Sequence, residues 1–148
     1  MTLSNNIRLA VSSTLTGTVG NASVTATIRE AVTSTLSGTD ALFTASGDQT
    51  GTEDVYDLAD ATVSDPLGDS VTFASVGLVY FRNRSENVIV LGGGTDDIAP
   101  LATGESVPAG GVVIRNATYT VGVGADQITV NGTAGDAYDL IVIGTKPT

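Results

Sequence analysis

Leu91 to Asp97 reads LGGGTDD, three glycines followed by a hydroxyl and two adjacent carboxylates. Phosphate cradles and Ca2+ loops are built from these residue types. A phosphate cradle needs a helix N-terminus behind its glycines, and commonly a lysine. Here Asp96, Asp97, Ile98, Ala99 and Pro100 follow, so negative charge sits where the phosphate belongs. TVGVGADQ, residues 120–127, lacks both the third glycine and the helix. Both stretches read as tight turns whose glycines supply positive φ. Asp96 and Asp97 stay as weak Ca2+ candidates, because hard cations prefer carboxylate oxygens.

Paired acids can also hydrolyse glycosides when two carboxyls flank one bond. Asp96 with Asp97 and Glu53 with Asp54 are the adjacent pairs, but neighbours on a strand point to opposite faces, and neither pair has EF-hand spacing. Solvated turn acids are the expectation. Serine and threonine are abundant, yet a hydroxyl nucleophile needs a base, and the chain has no His and no Cys. That removes the Ser-His-Asp and Cys-His systems and the zinc sites built on those ligands. Lys146, near the C-terminus, is a poor substitute. No catalytic residue and no cofactor are expected, so the chain does not read as an enzyme. Asn21, Asn83, Asn116 and Asn131 open N-x-S/T sequons, but no secretory leader is visible and glycosylation is not expected.

Charge excludes further classes. The 148 residues carry 16 acids against 6 bases, a formal net charge of −10. Arg8, Arg29, Arg82, Arg84, Arg115 and Lys146 are too scattered to track a phosphate backbone, so nucleic acid and anionic membrane surfaces are unsuitable partners. No stretch approaches the roughly 18 apolar residues of a membrane-spanning helix. An apolar content of 41% still supports a packed core.

The elements that carry these residues read as strands. VSSTLTGT at 11–18 is echoed by VTSTLSGT at 32–39. In each copy one parity is partly apolar and the other is all hydroxyl, and upstream Ile7 and Leu9, or Val24, Ala26 and Ile28, extend the apolar set. Two copies are too few for a solenoid. The echo reads as two similar strands, although the i, i+4 spacing of Ile28, Val32 and Leu36 also allows a short helix over 27–36. Residues 40–69 change character: Asp48, Glu53, Asp54, Asp57, Asp60, Asp65 and Asp69 come without a basic residue among them. A short strand, VYDLA, is expected inside. VTFASV, LVYFRN, NVIVL, GVVIR, TYTVGV, QITVN and YDLIVIG then follow with glycine-rich turns between most of them. This pattern predicts an all-β, antiparallel β-sandwich of jelly-roll or Greek-key type, preceded by an N-terminal strand-forming arm. The expected division is 1–45 for the Ser/Thr-rich strands or arm and 46–148 for the sandwich, in one compact domain overall.

YDLADATVSDPLGDSVTFASVGLVYFRNRSEN, residues 56–87, and the closing YDLIVIG give a resemblance. They are similar to small β-rich virion proteins of tailed bacteriophages, whose acidic DLA…LTDAFG…LTFA stretch leads to an LYIKN-like strand and a YDIVIIG-like end. The resemblance covers roughly residues 50–145 and lies in strand-and-turn pattern; the short loop after LGGG and the first fifty residues depart from it. It implies a head decoration, or cement, protein: a β-sandwich clustering as a homotrimer on a capsid surface, with itself and the major capsid protein as partners. It implies a place on the virion after synthesis in a host bacterial cytoplasm. The group has no functional-residue motif to transfer.

On that reading the interface falls on Ile7, Leu9, Val11 and Leu15, an inter-subunit or capsid-facing strand, with a purely internal hairpin as the rival. Exposed Arg82 or Arg84 could pair with an acidic neighbour in the assembly. The alternative function is a head-fibre or tail-fibre module that binds host-surface glycans through Gly92–Asp97 and Gly122–Asp126. A 5% aromatic content equips it poorly for sugar platforms.

Overall fold

A computed structural model describes the backbone of residues 5–19, 22–36 and 40–148, and side chains from residue 41 onward. It divides into two units, Met1–Thr39 and Asp40–Thr148.

In the first unit, β1 (Asn5–Val19) and β2 (Ala22–Leu36) pair antiparallel along their whole length. The segment 27–36 that could have been a short helix is strand. Five of its ten residues are β-branched, which suits a pleated ladder better than a helix. The register sets Leu9 opposite Val32, Val11 opposite Glu30, Ser13 opposite Ile28 and Leu15 opposite Ala26. Residues directly opposite share a face, so the apolar parity of one strand meets the apolar parity of the other. The hydroxyl positions collect on the second face: Thr14 lies opposite Thr27 and Thr16 opposite Thr25. The two echo copies do not face each other; they lie at different heights of one ladder.

The second unit is a β-sandwich. Its strands are β3 (Asp40–Asp48), β4 (Glu53–Asp57), β5 (Val63–Ser64), β6 (Ser70–Val71), β7 (Ser75–Asn83), β8 (Ile89–Leu91), β9 (Glu105–Val107), β10 (Val112–Thr120), β11 (Gln127–Asn131) and β12 (Ala137–Thr145). One four-stranded sheet runs β10-β7-β12-β3 and the other β4-β11-β8-β9, with β5 and β6 as a small separate pair. Every strand pairing in both sheets is antiparallel. No helix occurs among the described residues.

YDLIVIG lies in β12, between β7 and β3, a place that suits its apolar run. Alternation along it sends Tyr138, Leu140 and Val142 into the core, where Val79 and Phe81 meet Ile89, Leu91, Ile128 and Val130 of the opposing sheet. GVVIR and TYTVGV, expected as separate strands, are joined in β10, with a register shift between Asn116 and Tyr119 where the pairing with β7 is interrupted. A bulge of this kind bends a strand without ending it. β3 and β9 arise outside the expected strands, in segments flanked by acids and glycines.

Aspartates supply much of the turn chemistry. Asp57 Oδ1 accepts from the N–H groups of Ala59 and Asp60, and Asp65 Oδ1 from those of Leu67 and Asp69. Asp136 is buried, its carboxylate held by the Asn87 side-chain amide at 2.8 Å and the Thr133 N–H at 2.7 Å. The Asn87 bond, followed by the Thr133 N–H, holds its pKa below the ordinary 3.8. Because the folded-state value is the lower one, this carboxylate stabilises the fold fully above the unfolded value and loses the contribution as pH falls through the folded value. Asp136→Asn therefore removes part of the acid limb: its melting temperature varies less with pH below about 4 than that of the parent chain, read by calorimetry across pH 2–6.

Candidate functional site

The glycine-rich loop is built by its backbone. Gly92 and Gly93 adopt φ of +85° and +92°, which L side chains reach only with strain. The N–H of Gly92 donates to Thr129 O and that of Gly93 to Leu101 O. Asp97 is buried, with its two carboxylate oxygens taken by the Gly94 N–H at 2.6 Å and the Thr129 hydroxyl at 2.9 Å. It thus closes the turn. The main-chain oxygen of Asp96 accepts from the N–H groups of Asp126 and Gln127, which joins Gly92–Asp97 to Gly122–Asp126 at one point. No group of three or more acidic, His or Cys side chains gathers at metal-binding distance among the described residues.

The arginines part company. Arg84 Nε forms an ion pair with Asp139 Oδ1 at 3.1 Å, and its guanidinium also reaches Tyr138 O and Ser46 Oγ. Arg82 is exposed and pairs in register with Val112 on one side and Asp139 on the other. Asn83, between them, is fully buried: its amide donates to Val107 O at 2.9 Å and Asn87 O at 2.7 Å, while its Oδ1 accepts from the Ser85 N–H. A sequon asparagine so enclosed offers no nitrogen to a glycan in the folded chain. The positions Ile7, Leu9, Val11 and Leu15 share a parity on β1.

One feature had no single-segment signal. β3 ends one sheet and β4 ends the other, and both edges border an open groove of about 570 Å³. Thr44, Ala45, Ser46, Gly47 and Asp48 form one wall, Glu53, Asp54, Val55 and Tyr56 the other, with Tyr138 beneath. The hydroxyl of Tyr138, itself buried, donates to Asp54 Oδ2 at 2.6 Å, and the Tyr56 hydroxyl is bonded to that of Tyr138. With Tyr138 donating to the carboxylate, Tyr56 must donate to Tyr138. Both phenols are pushed above their ordinary pKa of 10.0, in each case chiefly by burial, to which Tyr138 adds its bond to Asp54. They stay protonated, so the relay spends its protons on Asp54. Toward the groove remain the carboxylate oxygens of Asp54, a phenol lone pair, and two strand edges, whose N–H and C=O groups alternate.

Tyr56 and Tyr138 lie 82 residues apart and meet because β4 and β12 occupy facing sheets. Phe43 packs on Tyr56 with ring centroids 5.0 Å apart, and Phe81 stacks on Tyr138 at 5.5 Å. The aromatic layer fixes the groove floor.

No protein-family profile, no curated protein and no solved structure matches this chain.

Proposed function

We propose that the protein is a structural component of a bacteriophage virion that decorates or cements the capsid as a homo-oligomer, a homotrimer on the resemblance of residues 50–145. The observation that carries this reading is the N-terminal ladder. Two 15-residue strands pair with each other along their whole length, with Ile7, Leu9, Val11, Leu15, Val24, Ala26, Ile28 and Val32 at positions of one face, Glu30 among them. A two-stranded hairpin is marginal in water, and an apolar face needs a second layer. At about 3.3 Å per residue the strands run roughly 50 Å, ample for contact with other copies. The internal pairing of β1 with β2 and an interface role are compatible: pairing within the hairpin uses one edge of each strand and leaves a face and two edges.

The sandwich suits the same role. Asp57, Asp65 and Asp136 brace turns, and the glycine-rich loop 91–97 is closed by its own Asp97. A body of high negative charge repels its own kind until a specific contact forms. The reading is tested by adding the purified chain to emptied, expanded capsids. Saturable binding with a raised capsid melting temperature supports it; no binding, with no thermal gain, removes it.

The junction of Gly92–Asp97 with Gly122–Asp126 favours one rival, a fibre module with a loop-borne glycan site. Binding on a glycan array by a chain indifferent to capsids would select that function instead.

A further inference from the structure

We infer that the groove between β3 and β4 is the acceptor site for the N-terminal hairpin of a second copy of the chain. The inference rests on the homo-oligomer reading above and names the surface that does the joining.

Three observations carry it. Among the described residues β3 pairs only with β12 and β4 only with β11, so each presents one edge with no strand on it there. Unpaired edges are templates for an added strand, and sheets left with them are covered, charged or paired. Along Thr44–Asp48 the edge borders the groove. A strand laid there continues the sheet and roofs the exposed side of Tyr56 and Val55, the latter 49% exposed.

The second observation is chemical. The groove is acidic: Asp54 lines it, holding the Tyr138 hydroxyl, and Asp48 and Glu53 stand exposed at its rim with no basic residue among the lining. An occupant that suits it brings a strand edge and positive charge. The third is how charge divides along the chain. Residues 1–39 hold Arg8 and Arg29 against Glu30 alone, a net +1, whereas residues 40–148 hold fifteen acids against Arg82, Arg84, Arg115 and Lys146, a net −11. The hairpin is the one positive unit, and it is built of extended backbone with two free edges. Backbone pairing supplies the adhesion, and opposite charge selects this edge over those that would bring acid onto acid.

The absence of cysteine from the chain makes the contact directly addressable. Thr44→Cys and Ser12→Cys are prepared as separate chains, mixed, and treated with a short bismaleimide. The expected result is a crosslinked species of two chains that needs both variants in the mixture. A chain carrying both cysteines that crosslinks only within itself overturns the inference, as does a mixture that stays uncrosslinked. In a second arm, Asp48→Lys with Glu53→Lys weakens self-association at least tenfold at low salt, with unchanged circular dichroism. Adding a chain carrying Arg8→Glu and Arg29→Glu restores it. Association equal to the parent's in the lysine variant rejects the groove as acceptor. If such a variant still binds capsids, the cement reading survives that rejection; if the parent chain binds no capsid, that reading falls whatever the crosslink shows.

Discussion

Gly92→Ala is expected to unfold the sandwich at room temperature or to leave it with a small fraction of its stability. A β-carbon at this position would overlap the carbonyl oxygen of Leu101 and stand 2.8 Å from its carbonyl carbon and Cβ. Leu101 is fully buried in the core, so it has nowhere to retreat. The φ of +85° adds strain of about 1–2 kcal/mol for any L residue. Backbone overlap cannot be relieved by a rotamer change, so the total is expected to exceed about 4 kcal/mol, in the range reserved for overpacking and backbone effects. Urea denaturation followed by circular dichroism measures it. Gly110→Ala is the control. It shares a positive φ of +70°, but its β-carbon would meet nothing within 4 Å, so it costs only the conformational strain. Equal losses in the two variants would show that strain, not contact with Leu101, governs the loop.

Asn83→Ala is the second large effect. The Asn83 amide ties the end of β7 to Val107 O at the end of β9, to Pro108 O just beyond it, and to Asn87 O in the turn that follows β7. Removing it strands the buried Val107 carbonyl and unties two part-buried ones, and leaves a void where a fully buried side chain stood, at a cost of about 3 kcal/mol. Asn116, exposed on β10 and also a sequon asparagine, is the comparison, and its alanine variant should fall within about 0.5 kcal/mol of the parent. The contrast is measurable as a shift in denaturation midpoint at constant slope. If Asn83→Ala matches Asn116→Ala, the side chain is not the pin described here.

The strands that period and composition announce are those with strong β-branched alternation. QITVN is β11 to the residue, and YDLIVIG lies within β12, where both flanking strands and the core demand apolar side chains. β3 was hidden, although Ala41, Phe43 and Ala45 alternate toward the core, because Asp40, Gly47 and Asp48 frame it with turn residues. Turn chemistry and edge-strand chemistry use the same residues, since a sheet edge tolerates charge and glycine. β9 is three residues long and leaves too short a period to read. LGGGTDD was legible as a turn, but the fate of Asp97 was not, because its partner Thr129 sits 32 residues away. The β3–β4 groove was illegible for the same reason. Tyr56 and Tyr138 meet through sheet order, which no single stretch encodes. The hairpin parity, by contrast, was visible residue by residue, and the register completes it by placing both apolar sets on one face.

In the proposed function the hairpin is the element through which copies associate. The decisive measurement is native mass spectrometry at micromolar concentration, with the full chain beside residues 40–148, whose core lies within that unit. The account predicts a defined oligomer, a trimer, for the full chain and a folded monomer for the truncated one. A full chain that stays monomeric, or a truncated chain that assembles to the same number, contradicts it.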